Sequence, residues 1–267
     1  MAKAENVYEI NMRSARAAVG EEPAFLSVVA TLRGLPETYL TGDPELLFYP
    51  ANIPDDLRLK IKPFGSVMEK LHRRNVLYNK KWPAPPPKGV LPPERVYVDV
   101  DDLLRTRLVC RYLDGPKYVC EQLKAFCDTS SIESNYRELS TDAGYYAWHF
   151  YFRVPAVILI AGAAEKQEIW VEIQFTTQLA EVITSLTHTL YQSRRADSDL
   201  IDHWKWLAAS PQFRSAFLGH GLHLLEGLIQ SFRDDIFEAR VLEPAKASQE
   251  PGADDAQPDE TKAEGNK

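Results

Sequence analysis

Lys60, Lys62 and Lys70 are spaced so that their side chains could act together on one anion. From Leu57 to Lys62, the apolar Leu57, Leu59 and Ile61 alternate with Arg58, Lys60 and Lys62, so a strand here would place three cations on one face. Lys60 and Lys62 would then point together at phosphate oxygens. Ser66 and Glu69 read as a capping box opening a helix through about Arg74, with Lys70 on a first turn whose N-terminus itself favours anions. A second chemical feature lies in Glu168 to Phe175. There Ile169, Val171, Ile173 and Phe175 alternate with Glu168, Trp170, Glu172 and Gln174. Two acids on such a strand are either a solvated face or a chemical device.

The elements that must hold these residues follow from periodicity. Phe25, Leu26, Val29, Leu32 and Leu35 recur at helical intervals between Glu22 and about Leu40, and Gly42, Asp43 and Pro44 then stop the pattern. Lys80 to Pro93 holds too many prolines for helix or central strand and reads as a surface loop. Beyond it come a strand at Thr106–Tyr112, an amphipathic helix at Pro116–Phe126, an apolar strand at Ala147–Ile160 and the alternating strand Glu168–Phe175. Helical spacing follows over Leu179–Tyr191 and Pro211–Val241. The expected fold class is α/β, a mixed β-sheet flanked by helices, in one domain over residues 1–242.

The 267 residues carry a formal net charge of −7, unevenly placed. Glu243 to Lys267 holds seven acids and three lysines, a net of −4, and leaves −3 for the rest. With almost no large apolar side chain, residues 243–267 are expected to be a disordered acidic tail, and a local basic site upstream stays open. No apolar run suits a membrane span and the N-terminus lacks a signal-peptide pattern, so a cytoplasmic protein with no membrane partner is expected. Cys110, Cys120 and Cys127 are odd in number without C-x-x-C spacing and read as reduced thiols.

Four segments, taken in order, resemble the RelA/SpoT-type nucleotide pyrophosphokinases. Lys60, Lys62, Ser66 and Lys70 match R-x-K-x-x-x-S-x-x-x-K, and Asp102 to Arg107 matches D-x-x-G-x-R. Gly144 to His149 resembles G-Y-x-S-x-H. Val171 to Thr177 resembles V-E-I-Q-x-R-T, and Thr187 to Tyr191 stands in place of E-H-x-x-x-Y. The resemblance covers roughly Leu57 to Tyr191 and implies a nucleotidyltransferase-like synthetase domain. Such a domain transfers the β,γ-pyrophosphate of ATP to the 3′-hydroxyl of an acceptor nucleotide.

On that resemblance Asp102 and Glu172 hold Mg²⁺, with Glu172 also a candidate base. Lys60, Lys62, Ser66, Lys70 and Arg107 bind ATP, and Tyr145, His149 and Gln174 bind the acceptor, with Tyr145 stacking under its base. Several positions depart from the pattern. Lys60 stands where the family has an adenine-stacking arginine, leaving the sandwich with Arg107 half supported or passing the role to a side chain such as Arg58. Thr141 and Ala143 replace the lysine and asparagine that hold an acceptor's 5′-phosphates, Thr176 replaces an arginine, and Arg105 a glycine. These losses lean toward the toxic branch of the small alarmone synthetases, which pyrophosphorylates the tRNA 3′-CCA end and is neutralised by an antitoxin. The alternative is a (p)ppGpp or (p)ppApp synthetase acting on guanosine or adenosine nucleotides.

Other constellations are weaker. His203, His220 and His223 fall in helical sequence without a His-Asp dipeptide, so no alarmone hydrolase site is expected. Trp204 and Trp206 read as core or interface aromatics. Arg73, Arg74, Lys80, Lys81, Arg194 and Arg195 are a candidate phosphate-binding surface.

Overall fold

Alternating side chains sort the central sheet into an apolar face and a polar one. The computed structural model describes residues 2–50, 53, 57–87, 89–160, 162–194 and 203–247. Its strands are β1 (Lys60–Ile61), β2 (Leu104–Cys110), β3 (Ser134–Ser140), β4 (Tyr146–Ile160) and β5 (Ala163–Thr177), in the order β1-β2-β5-β4-β3. Only β2 and β5 run parallel; the other neighbours are antiparallel. The helices are α1 (Ala2–Glu21), α2 (Pro23–Gly34), α3 (Phe64–His72), α4 (Val96–Asp99), α5 (Gly115–Thr129), α6 (Gln178–Arg194) and α7 (Pro211–Ala247). This is the mixed sheet with flanking helices that the sequence implied.

On the apolar face Leu104 and Leu108 of β2, Phe150 and Phe152 of β4, and Val171 and Ile173 of β5 are buried together with the inner stripes of α1, α2 and α5. Phe25 of α2 lies against Phe152, ring centroids 6.2 Å apart. Helix α1 was not anticipated. Its buried stripe of Tyr8, Asn11, Met12, Ala15 and Val19 mixes an amide and a small residue with larger apolar ones, so its periodic contrast is low. It nevertheless ties the sheet together. Asn11 is 2 % exposed and donates to Leu159 O (2.9 Å) and Tyr97 Oη (3.0 Å), while Leu159 N–H donates back to its Oδ1 (3.2 Å). The Tyr8 hydroxyl donates to Lys62 O at 2.6 Å, fixing the backbone that carries a candidate site residue.

The structure corrects several local expectations. The strand expected over Leu57–Lys62 is paired only at Lys60–Ile61, because Leu57 (φ 42°) and Arg58 (φ 43°) sit in the left-handed region and leave the extended course. Helix α3 starts at Phe64 after Pro63, so Ser66 lies inside its first turn and no capping box forms; Glu69 meets Arg73 instead at 3.4 Å. Lys70 therefore sits in the last turn of α3, and the helix passes into a π-turn over Arg73–Leu77. Strand β3 was also unforeseen. As an edge strand it exposes or half-exposes both faces and shows no apolar alternation. Helix α7 continues past the boundary expected at 242, and residues 248–267 of the expected tail lie outside the described residues. Cys110, Cys120 and Cys127 are buried unpaired thiols, and burial pushes each one's pKa up. Among the described residues no helix is long and apolar enough to cross a membrane.

Helix α7 is seated on the turn between β3 and β4 through two glycines. Gly144 has φ +77°, and a Cβ there would come within 2.7 Å of Ala216 O; a Cβ on Gly219 would come within 2.3 Å of Gly144 O. The contact is backbone against backbone and leaves no room to adjust. Gly219→Ala should cost about 1–3 kcal/mol, as overpacking does, lowering the melting temperature by several degrees. Gly20→Ala in α1, where a Cβ meets nothing within 4 Å, should cause no loss. Thermal unfolding of the two variants beside the parent checks this.

Candidate functional site

The polar face of the sheet carries the candidate chemistry, and strand register decides which residues meet. Arg105 lies opposite both Lys60 and Glu172, Arg107 opposite Gln174, His149 opposite Gln174 and Arg137, and Tyr151 opposite Glu172. Period-2 alternation keeps all of these on the face not covered by α1, α2 and α5.

At one end lies a cluster of five alternating charges. Lys62 Nζ is 2.7 Å from Asp102 Oδ2, and Lys70 Nζ bridges Asp102 Oδ1 (2.8 Å) and Asp101 Oδ1 (2.6 Å). Arg137 Nη2 reaches Asp101 Oδ2 at 3.0 Å. Lys62 is only 6 % exposed, so its ammonium requires a partner. Burial acts to raise the Asp102 carboxyl, but Lys70 and Lys62 outweigh it and hold the pKa at about 2. Burial likewise works against the Lys70 ammonium and is outweighed by Asp102 and Asp101, leaving its pKa raised. At Lys62 burial prevails and the pKa is lowered. Lys60 and Lys62 differ in surroundings: Lys60 is exposed opposite Arg105, whereas Lys62, past the end of β1, is buried against Asp102.

The cluster continues without a break to Glu172. Arg137 donates from Nε (3.0 Å) and Nη2 (2.6 Å) to the Tyr151 hydroxyl, which donates to Glu172 Oε1 at 3.4 Å. His149 Nδ1 lies 2.5 Å from the same oxygen, and Gln174 Nε2 donates to it at 3.2 Å. His149 Nε2 meets the Tyr145 hydroxyl at 3.1 Å. His149 thus lies between Glu172 on its Nδ1 side and Tyr145 on its Nε2 side. Glu172 is 2 % exposed, and while Oε1 is crowded with partners, its other oxygen, Oε2, is buried with none. A buried carboxylate oxygen without a partner is costly unless something else meets it. Burial raises the Tyr145 and Tyr151 pKa values, so both phenols stay protonated donors.

Arg107 lies at the mouth of this face. Its Nε and Nη2 donate to Gln174 Oε1 (3.3 and 3.2 Å), and Nη1 pairs with Glu181 of α6 at 2.8 Å. The structure thus brings Lys62, Lys70, Asp102, Tyr145, His149, Glu172, Gln174 and Arg107 onto one face, with Lys60 at its edge and Ser66 in the first turn of α3. The side chains of Thr187 to Tyr191 lie outside the described residues, as does Arg195.

Three members of the network were missed in the sequence. Asp101 was overshadowed by its neighbour, and Arg137 lay in an unrecognised strand. Tyr151 was absorbed into an apolar reading of β4, although His149, Tyr151 and Arg153 recur there at period 2 and would have shown a polar face. Of the core and interface alternatives for Trp204 and Trp206, the core one does not hold: Trp206 is 88 % exposed and Trp204 is half-buried beside a cavity.

No family model and no curated protein sequence matches this chain. Solved structures do. The small alarmone synthetase 1 of Bacillus subtilis is 17% identical over 86% of this chain and 98% of that one, with a TM-score of 0.53. The same Bacillus protein bound to its product pppGpp also scores 0.53, at 16% identity over 86% of this chain and 97% of that one. A GTP pyrophosphokinase family protein from Streptococcus pneumoniae is 18% identical, covering 88% of this chain and 97% of that one, again with a TM-score of 0.53. The fold is that of the small alarmone synthetases. The order of motifs read from Lys60 to Thr177 therefore sits on the architecture that the resemblance implied.

The low Asp102 pKa makes a pH prediction with a definite sign. A carboxyl depressed on folding stabilises the protein above its ordinary pKa of 3.8, and that contribution is lost as pH falls to about 2. Chemical denaturation should show about 2 kcal/mol of stability disappearing over this window. In Asp102→Asn that acid-dependent loss should be largely absent, with the variant already less stable near neutral pH.

Proposed function

We propose that the protein is an ATP-dependent 3′-pyrophosphokinase of the cytoplasm, and that its acceptor is the 3′ end of tRNA. The observation that carries the reading is the partnerless, buried Oε2 of Glu172, on the same face as the Lys62–Asp102–Lys70 cluster and Tyr145. That donor set suits Mg²⁺, which takes one or two carboxylates and leaves its other positions to water and substrate phosphates. Among the described residues there is no group of three or more His, Cys, Asp or Glu side chains that could form a metal centre by itself. Asp102 and Glu172 would hold the ion, whose chemistry is to neutralise charge on the transferring group.

In this reading Lys60, Lys62, Lys70 and Arg107 bind the triphosphate, with Ser66 beside them. Tyr145 stacks under the acceptor base, and Gln174 fixes the orientation of Glu172 and Arg107. Glu172 takes the proton of the 3′-hydroxyl as its oxygen bonds to the β-phosphorus of ATP. The bond from that phosphorus to the α,β-bridging oxygen breaks and AMP leaves. His149 holds Glu172 Oε1 and the Tyr145 hydroxyl at once, coupling the base to the acceptor platform. The acceptor preference rests on Thr141 and Ala143, which offer no charged donor to the 5′-phosphates of a free nucleotide. A toxin of this type acts by blocking translation and is paired with an antitoxin protein. The second reading, a (p)ppGpp or (p)ppApp synthetase, is favoured by one observation: a neighbour of the same fold is seen with pppGpp as its product.

Four sets of measurements test the proposal. Incubation with γ-³²P-ATP, Mg²⁺ and either GDP, GTP, AMP or bulk tRNA should label tRNA most efficiently, whereas labelling of GDP alone would establish the second reading. Glu172→Gln should abolish transfer while leaving the melting temperature within a few degrees of the parent. Tyr145→Ala should lower kcat/KM by roughly 5- to 150-fold, the range of base–aromatic stacking, and Tyr145→Phe by much less, since the ring survives and only the hydroxyl contact to His149 is lost. Charge reversal at Arg73 and Arg74 should weaken labelling of tRNA most at low salt, with a shallower salt dependence than the parent, and spare labelling of GDP.

A further inference from the structure

The turn that precedes Tyr145 borders a second recess, lined by Thr141 and by Tyr146, the chain neighbour of Tyr145. The Tyr145 N–H lies 3.3 Å from Thr141 Oγ1 and its carbonyl accepts from Thr141 N–H at 3.1 Å, so the turn 141–144 is a lip of this cavity of about 640 Å³. The cavity is lined on the sheet side by Thr141 and Tyr146 and on the helical side by Trp204, Lys205, Phe217 and His220. Its volume is within the roughly 300–1,000 Å³ of small-ligand sites.

The lining is built for a planar, hydrogen-bonding group attached to an anion. Tyr146 is held rigid, stacked on His223 with centroids 3.6 Å apart and its hydroxyl 2.7 Å from His220 Nδ1. His220 Nε2 in turn meets Asp142 O at 3.1 Å. Phe217 is 69 % exposed although it lines the recess, so its ring is available for a stacking partner. Lys205 pairs with Asp142 at the rim of the recess, which both line, and such a solvated pair yields its cation to a phosphate at little cost. The backbone contact between Gly144 and Gly219 fixes this wall relative to Tyr145.

From these features, and resting on the pyrophosphokinase reading, we infer that the cavity is a subsite for the nucleotide on the 5′ side of the acceptor nucleoside in an RNA 3′ end. A terminal nucleoside stacked on Tyr145 would send its 5′-phosphate over Thr141 and Ala143, where no fixed cation waits. The chain then enters a recess with aromatic rings for the next base and Lys205 for the linking phosphate. A mononucleotide leaves that recess empty. The subsite therefore discriminates by polynucleotide continuity, adding base stacking that only an RNA end can reach.

The test compares acceptors that share a terminal adenosine, AMP and the dinucleotide CpA, in label transfer from γ-³²P-ATP and in direct binding of fluorescently tagged CpA. The parent should use CpA with a KM at least tenfold below that for AMP. Trp204→Ala and Phe217→Ala should raise the CpA KM and Kd by roughly 5- to 150-fold and erase the preference, and Trp204→Phe should restore much of it. Trp206→Ala, a neighbour outside the lining, serves as the unaffected control. Equal KM values for CpA and AMP in the parent, or equal losses on both acceptors in the variants, would overturn the subsite while leaving the proposed reaction standing. Conversely, Trp204-dependent CpA binding without label transfer to any acceptor would uphold the subsite and overturn the reaction.

Discussion

The ammonium of Lys62 lies in a place where a lone charge is not tolerated, and its answer is Asp102. Removing an ammonium from water costs several kcal/mol unless an opposite charge meets it closely, and from that requirement the site is assembled outward. Asp102 is shared with Lys70, Lys70 with Asp101, Asp101 with Arg137, and Arg137 reaches through Tyr151 to Glu172. Each member satisfies its neighbour, so strands β2 to β5 and helix α3 are held in one arrangement by charge as well as by the apolar core behind them. Such a network does not maximise stability. What it supplies is a set of phosphate-seeking cations and a carboxylate whose positions are fixed in advance, and preorganised charge is what phosphoryl chemistry needs.

The scaffold shows how distant packing reaches that network. Helix α1 makes no charged contact within it, yet Tyr8 grips the carbonyl of Lys62 and Asn11 bonds the backbone of β4 near its far end. At the opposite end of the sheet α7 presses Gly219 against Gly144, one residue before Tyr145. The base platform and the cationic cluster are thus positioned from two sides by elements that contribute no reacting group. A buried Glu226 in α7 accepts from Leu179 N–H at the start of α6, and burial raises its pKa. That contact also ties α6, which carries the Glu181 partner of Arg107, to α7.

Much of this protein was legible in its sequence because its signals are local. Alternation over Ile169–Phe175 put Glu172 and Gln174 on the face away from the core, and the structure has them there. The spacing of Asp102, Arg107, Tyr145, His149 and Glu172 depends only on strand period and chain order, which is why an ordered set of weak motifs could name a fold at under 20% identity to its neighbours. Where local signals were weak, the reading failed for identifiable reasons. Strand β3 is an edge with no dry face, α1 buries a thin mixed stripe, and the left-handed backbone at Leu57 and Arg58 cuts short a strand that alternation alone would prolong.

Residue types and their order along the chain determined the sheet, its polar face and the identity of the candidate carboxylates. Which charge meets which was decided only by the tertiary structure, because pairing depends on register and burial and not on sequence separation. Lys60 and Lys62, alike in sequence, part company when one remains in water and the other must find Asp102, forty positions on. Arg137 and Tyr151 entered the site through the pairing of β3 with β4, and the recess against Tyr146 exists because α7 crosses the end of the sheet. Contacts of that kind are products of three-dimensional closure, and no period in the sequence encodes them.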